Sequence, residues 1–173
     1  VVLITGASGG IGKEAALQCA RAGADVALLA RREDVLAGLA KECLAAGAGR
    51  AVGVKCDVTD RKACERAVKE AAKKLGALDV VVLNAGQSQG CYFEDIKNLD
   101  DADYLMQLNV TGVYNVLHYA LPHVTKAASS RLVFVSSVAG TLGVPLRTIY
   151  CASKWAVNGL AAALRVELAD AYG

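Results

Sequence analysis

The chain opens with Val1-Val-Leu-Ile-Thr5-Gly6-Ala-Ser-Gly-Gly-Ile-Gly12, and a helical pattern of apolar residues follows. The first five residues form an apolar run typical of a buried strand. Glycine permits a tight backbone turn and a close approach to a bound group, and the helix N-terminus offers free N–H groups. A strand, a glycine turn and a helix in this order predict a phosphate-binding turn. Its candidate residues are Gly6, Ser8, Gly10, Ile11 and Gly12.

The same alternation of a short apolar run and a longer helical pattern continues along the chain. The runs are nearly continuous in Val, Leu, Ile and Ala, which is typical of strands buried on both faces. Five repeats of this unit predict a doubly wound parallel sheet with right-handed crossovers and helices on both faces. The predicted strands are residues 1–5, 25–30, 51–56, 78–84 and 131–135.

Two of the predicted helices carry a clear apolar pattern with a period near 3.6. The last helix presents one face made of Val157, Leu160, Ala161, Leu164 and Leu168. An earlier helix carries Leu105, Leu108, Gly112, Val116 and Ala120. We expect this earlier helix to end near Pro122, because proline lacks a backbone N–H.

Composition limits the class of protein. The chain has 173 residues, of which 54% are apolar and 21% are charged, as expected for one globular domain. The net charge of +2 comes from scattered residues, so we expect no nucleic-acid partner. No apolar run approaches the roughly 18 residues of a membrane-spanning helix. The six cysteines include no Cys-x-x-Cys pair, which favours reduced thiols in a reducing compartment and no metal site.

The end of the second run indicates which dinucleotide the glycine turn would suit. Sheets that bind NAD carry an acidic residue there, about 20 residues after the turn, to hold the ribose 2′-hydroxyl. Here that place is Ala30, followed by Arg31 and Arg32. A guanidinium binds a 2′-phosphate through charge-assisted hydrogen bonds. The alternative is that both arginines only open the next helix on a solvated face. The pattern predicts a preference for NADP(H), with NAD(H) as the other option.

Polar residues collect at the ends of the later strands and on the helices that follow them. Asn84-Ala85-Gly86 ends the fourth run, Asn109 lies on the helix after it, and Ser137 ends the fifth run. Tyr150 and Lys154 open the last helix four residues apart, so they share one helix face.

This combination predicts proton transfer to an oxygen atom of a substrate. A free tyrosine ionises near about pH 10, and a nearby positive charge favours the phenolate form. Such a phenol can give a proton to a carbonyl oxygen or take one from an alcohol. Ser137, thirteen residues before Tyr150, could hydrogen-bond the same oxygen and fix its position.

With these motifs in this order, the chain resembles the short-chain dehydrogenase/reductase family, in its branch with a single Rossmann domain. The resemblance runs from Thr5-Gly6 to the helix after Lys154. It implies a Rossmann-type three-layer α/β/α fold. It also implies an oxidoreductase that transfers hydride between NADP(H) and a carbonyl or alcohol substrate.

The resemblance carries roles over to matching positions. Tyr150 would be the acid/base, Lys154 would bind the nicotinamide ribose, and Ser137 would polarise the substrate. Asn109 would hold a water in a proton relay. The implied cofactor contacts are Gly6, Gly10 and Gly12 at the pyrophosphate, Arg31 at the 2′-phosphate, Asp57 and Val58 at the adenine, and Asn84, Ala85 and Gly86 beside the cofactor.

Family members continue past this last helix into further strands and a substrate-covering loop. The resemblance therefore implies that residues 1–173 are a single NAD(P)-binding domain, with five of the usual seven strands and without part of the substrate pocket. It implies a parent protein that forms a homodimer or homotetramer. Residues 133–140 are similar to members that act on steroids, retinoids or other carbonyls, which favours an apolar or lipid-like small molecule. The location of the parent protein stays undetermined.

Three alternatives use a similar sheet. A non-catalytic NADP-binding sensor often lacks the tyrosine or the lysine, and this chain has both Tyr150 and Lys154. An epimerase or dehydratase of the extended branch has a G-x-x-G-x-x-G turn, whereas Gly6, Gly10 and Gly12 are spaced G-x-x-x-G-x-G. A methyltransferase would leave Tyr150 and Lys154 without a role. The oxidoreductase interpretation is favoured.

Overall fold

Five strands form one parallel sheet in the computed structural model, which describes residues 1–126 and 129–172. Their order is β3-β2-β1-β4-β5, so the chain winds in opposite directions on the two sides of β1. The predicted doubly wound parallel sheet is confirmed. The strands are β1 (Val2–Thr5), β2 (Val26–Ala30), β3 (Ala51–Lys55), β4 (Val80–Leu83) and β5 (Arg131–Phe134).

Six α-helices connect and cover the strands in the described part of the chain. A π-helical segment, Gln107–Thr111, joins the fourth to the fifth, and two short 3₁₀ turns lie at Phe93–Asp95 and Val138–Gly140. The helices are α1 (Gly10–Arg21), α2 (Glu33–Ala46), α3 (Arg61–Leu75), α4 (Leu99–Met106), α5 (Gly112–Val124) and α6 (Thr148–Tyr172).

The earlier helix ends close to Pro122, as expected. Helix α5 contains Pro122 and continues to Val124. A proline this close to the C-terminus removes only its own N–H from the last turn. That turn is still closed, because the Thr125 N–H donates to the Leu121 carbonyl at 3.0 Å.

The sheet separates two apolar clusters. In β1, Leu3 packs with Val81 and Leu83 against α3, α5 and α6, while Ile4 packs with Leu28 against α1 and α2. Every residue of β1 and β2 is buried, as the continuous apolar runs predicted. The prediction of burial on both faces fails for β3 and β5, which lie at the two sheet edges and expose alternate residues.

Arg50 makes hydrogen bonds at the amino-terminal ends of the strands. Its backbone N–H and its guanidinium both donate to the Asp25 carboxylate, at 2.7 and 2.8 Å. The guanidinium also donates to the Leu75 carbonyl at the end of α3, at 2.8 Å. The hydrogen bond from Arg50 holds the pKa of Asp25 below its usual value. One side chain thus joins β2, β3 and α3.

The cysteines pack as small apolar residues. All six lie in the described ranges as free thiols, and four of them, Cys43, Cys56, Cys64 and Cys151, are buried. The described helices include none with the length and apolar character that a membrane crossing requires.

Candidate functional site

A cleft crosses the carboxyl ends of β1 and β4, where the winding direction reverses. It consists of two adjoining cavities of about 350 and 310 Å³. The β2-side cavity lies beside Ala30, Asp57 and Val58, and the β5-side cavity lies beside Tyr150 and Lys154. The lining residues that the two cavities share are Gly6, Gly9, Ala85, Gly86 and Gln87.

The glycine turn needs its glycines for two different reasons. Gly6 and Gly10 have φ angles of 65° and 53°, in the left-handed region that favours glycine. A Cβ atom on Gly12 would lie 2.5 Å from the Gly6 carbonyl oxygen, so this glycine lets α1 pack closely onto the turn. A Cβ on Gly10 would meet nothing within 4 Å, so the backbone there borders open space.

The N-terminus of α1 has free N–H groups. Gly9 occupies the capping position, no described side chain caps the helix, and its first turn holds no acidic residue. Helix α3, by contrast, is capped by Asp60, whose carboxylate accepts from two backbone N–H groups. Uncapped N–H groups at the positive end of a helix dipole are suited to an anion. The turn and α1 therefore fit the pyrophosphate of a dinucleotide.

Thr5 and Asn84 join the two strands that border the cleft. The Thr5 hydroxyl donates to the Val82 carbonyl at 3.3 Å and accepts from the N–H groups of Asn84 and Ala85 at 2.9 and 3.0 Å. The Asn84 amide donates to the Thr5 carbonyl at 2.8 Å. These bonds hold the end of β4 beside the glycine turn, as expected for a residue that supports the cofactor strand.

The two arginines after β2 have different partners. Arg32 Nη2 donates to the Ser8 carbonyl at 2.8 Å and to the Ser8 hydroxyl at 3.0 Å, so it braces the glycine turn. Arg31 Nη1 instead donates to the Tyr104 hydroxyl at 3.0 Å. Both arginines line the β2-side cavity together with Asp57, whose carboxylate accepts from the backbone and hydroxyl of Thr59.

Tyr150 and Lys154 meet in the β5-side cavity. The Lys154 ammonium lies 5.7 Å from the centre of the Tyr150 ring and donates to the Val135 carbonyl at 2.8 Å. Lys154 is only 5% exposed, and this burial lowers the pKa of its amine. A buried amine costs stability unless a ligand or neighbour uses it. The geometry thus brings a phenol, a cation and the glycine turn into one cleft.

Asn109 lies behind the cleft, fully buried in the π-helical segment. Its amide accepts from the Gln87 N–H at 2.9 Å and donates to the Gln87 carbonyl at 2.8 Å and to the Ser153 hydroxyl at 3.0 Å. Both N–H donors of the amide are therefore used, and Asn109 fixes the chain after Gly86. Single π-turns of this kind occur often at functional sites.

The two adjacent serines face different surroundings. The Ser137 hydroxyl accepts from the Ala139 N–H at 3.2 Å and begins the 3₁₀ turn Val138–Gly140. Ser136 lines the β5-side cavity, and its buried hydroxyl has no partner in the described part of the chain. The predicted role of Ser137 stays a prediction, and Ser136 is an additional polar group at the site.

Two contacts of the site were not predicted from the sequence. Ser153 binds Asn109, and Tyr104 binds Arg31. Both contacts depend on long-range packing, which spacing along the chain does not reveal.

The fold and the cleft together define a dinucleotide-binding α/β protein of the Rossmann type. Residues 1–171 match the family described as short chain dehydrogenase. The chain belongs to the short chain dehydrogenase family, as its motifs indicated.

The relatives extend beyond the matched region. The chain is 39% identical over 173 residues to "11-beta-hydroxysteroid dehydrogenase-like 4A" of Arabidopsis thaliana. The aligned region covers all of this chain and 58% of that relative. Across several curated relatives, the chain spans between 52 and 68% of their length.

Two solved structures have closely similar folds. One is an alcohol dehydrogenase from the archaeon Thermococcus sibiricus complexed with 5-hydroxy-NADP, with 28% identity and a TM-score of 0.91 over 96% of this chain and 70% of that one. The other is an NAD⁺-bound xylitol dehydrogenase, with 30% identity and a TM-score of 0.92 over 98% of this chain and 65% of that one.

Proposed function

We propose that the whole protein is an oxidoreductase that uses NADP(H) and interconverts a carbonyl and an alcohol. The observation that carries the proposal is the single cleft that holds Tyr150 and Lys154 at one end and Arg31 at the other, with the uncapped glycine turn between them. The two similar structures contain an NADP derivative and NAD⁺, which supports a nicotinamide cofactor in general.

In this proposal different residues of the cleft bind different parts of the cofactor. The glycine turn and α1 hold the pyrophosphate, Asp57 and Val58 border the adenine, and Lys154 holds the nicotinamide ribose. When bound, the nicotinamide supplies or accepts the hydride. The Thr5–Asn84 bonds keep both walls of the cleft in place, so little reorganisation is needed when the cofactor binds.

Tyr150 moves the proton. Its phenol gives a proton to the carbonyl oxygen in the reducing direction and takes one from the hydroxyl in the other. The Lys154 ammonium lies beside the phenol ring, and Ser137 hydrogen-bonds the same substrate oxygen. Asn109 positions the chain after Gly86, because its amide binds both the N–H and the carbonyl of Gln87. In this proposal Asn109 also holds the water of a proton relay.

The loops beside Tyr150 favour an apolar substrate. Phe93 and Leu146 border a small cavity that Tyr150 also lines. Large apolar side chains stay exposed on these two loops, which are joined by a hydrogen bond from the Cys91 N–H to the Leu146 carbonyl at 3.0 Å. Leu146 has a φ of 64°, a strained value for this residue type that fits a functional loop. The exposed residues are Tyr92, Phe93, Leu142 and Leu146.

The choice of cofactor is tested by replacing Arg31. Ala30 offers no carboxylate to a ribose, while Arg31 offers a partner for a 2′-phosphate. Loss of a hydrogen bond to a charged group costs about 1.5–3 kcal/mol, so Arg31→Ala should weaken NADPH binding about 10- to 150-fold in the whole protein. NADH binding should barely change.

The measurement is fluorescence titration with both cofactors. The matched control is Arg66→Ala, which replaces an exposed arginine on α3. An equal loss for both cofactors would remove the phosphate assignment.

A further inference from the structure

Tyr104 makes a long-range contact with Arg31, which lines the β2-side cavity. It lies on α4 and accepts a hydrogen bond from Arg31, 73 residues earlier in the chain, at 3.0 Å. Leu108, four residues after Tyr104, also lines this cavity, so the segment that begins with α4 borders it. The contact to Tyr104 therefore orients the guanidinium at the cavity.

Helix α4 holds Tyr104 in place. The Asn98 side chain caps the helix by accepting from the Asp100 N–H at 3.0 Å, and Ala102 and Leu105 bury the opposite face. Tyr104 itself is 37% exposed, so its ring is accessible to solvent and lies outside the buried core. A tyrosine with an ordered backbone and a partly exposed ring is well placed to contact a ligand.

Arg31 keeps guanidinium donors that can bind a ligand. Arg32 uses its Nη2 on two acceptors of Ser8 and belongs to the glycine turn. For Arg31, the contact to the Tyr104 hydroxyl uses one N–H, and a guanidinium has five donors. The remaining donors can bind an anion without breaking the contact to Tyr104.

The Tyr104 hydroxyl can also donate a hydrogen bond. Its oxygen is the acceptor in the bond from Arg31, so its own O–H is free to donate. An anionic oxygen beside Arg31 would accept from the guanidinium and from this hydroxyl at once. A phosphate monoester has several oxygens in such positions, whereas a ribose hydroxyl carries no charge to bind.

We propose that Tyr104 is a specificity-determining residue for the cofactor. Its hydroxyl orients Arg31 and donates a hydrogen bond to the 2′-phosphate of NADP(H). The inference rests on the proposed use of NADP(H), and it adds a second ligand for the phosphate from a different element of the fold.

The test compares cofactor affinities in the whole protein. Tyr104→Phe removes one oxygen and keeps the ring. It should weaken binding of NADPH and of the fragment 2′,5′-ADP about 3- to 15-fold, and leave NADH and 5′-AMP unchanged. The matched control is Tyr114→Phe, because that exposed hydroxyl donates to Thr111 outside the cleft. Binding is measured by calorimetry, so the result does not depend on turnover.

The double variant shows whether the two residues act together. In an Arg31→Ala background, Tyr104→Phe should cost less than in the natural protein, because the orienting contact is already lost. If Tyr104→Phe binds all four ligands as the natural protein does, or binds NADPH more tightly, the inference is wrong. If instead the natural protein binds NADPH and NADH equally well, the proposed use of NADP(H) is wrong, and the role of Tyr104 is wrong with it.

Discussion

Gly12 shows how a single residue sets the shape of the cleft. Its missing Cβ lets α1 approach the Gly6 carbonyl, while Gly6 and Gly10 supply the left-handed backbone of the turn. The sequence predicted this turn well because glycine spacing is a local signal. It could not distinguish the surroundings of Ser136 and Ser137, because two adjacent serines differ only in the direction that the folded strand end gives them.

Gly12→Ala should damage both folding and binding. A methyl group would lie 2.5 Å from the Gly6 carbonyl oxygen and 2.7 Å from the Asn84 side-chain amide. The first is backbone, and the second is held by its hydrogen bond to the Thr5 carbonyl. We expect a loss of about 1–3 kcal/mol in the free energy of unfolding and a marked loss of cofactor affinity. Gly38→Ala is the control, because that helical glycine has open space at its Cβ and should gain about 0.5–1 kcal/mol. The measurement is urea unfolding of both variants. Equal changes in the free energy of unfolding would contradict the packing role of Gly12.

At the scale of the elements, side-chain hydrogen bonds connect neighbouring strands at both ends of the sheet. Thr5 with Asn84 holds the cleft, and Arg50 with Asp25 holds the opposite end of the sheet. Apolar periodicity predicted the strands to within one or two residues, because burial dictates it. The π-helical segment around Asn109 was not predictable, since a widened turn has no apolar period of its own.

Asp25→Asn should lower the melting temperature near neutral pH. The Arg50 hydrogen bond depresses the pKa of Asp25 in the folded state, so the carboxylate stabilises the fold above its unfolded pKa. That stabilisation is lost as the pH falls through the folded pKa, and the difference between the variant and the natural protein should vanish there. Glu65→Gln, which breaks an exposed pair with Lys69, is the control and should change little. Calorimetry from neutral to acid pH checks this; a constant difference would contradict it.

At the scale of the whole molecule, one side of the sheet stays open in the described residues. Strand β5 is an edge strand, and a cavity of about 860 Å³ lies between it and α6. The lining includes Leu132, Phe134, Leu164 and Leu168. Fold class and strand number were predictable because each strand–helix unit is a local pattern. Local patterns do not give the strand order, since it depends on pairing between distant segments.

Residues 1–173 alone should be less stable than the whole protein, or should self-associate. An uncovered strand edge beside apolar surface favours pairing with another chain. Thermal melting and light scattering on both proteins measure this. A monomeric fragment that melts at the temperature of the whole protein would show that the β5 side needs no cover.

The central claim is that Tyr150 transfers the proton in a cleft built to hold a nicotinamide cofactor. Tyr150→Phe in the whole protein removes one oxygen and keeps the ring that lies 5.7 Å from the Lys154 ammonium. NADPH affinity should stay within a few-fold, because the glycine turn, Lys154 and Arg31 hold the cofactor. Turnover of apolar carbonyls should fall by about 10²–10⁴. If Tyr150→Phe kept most of its turnover while binding NADPH normally, Tyr150 would not be the acid/base and the account of this site would be wrong.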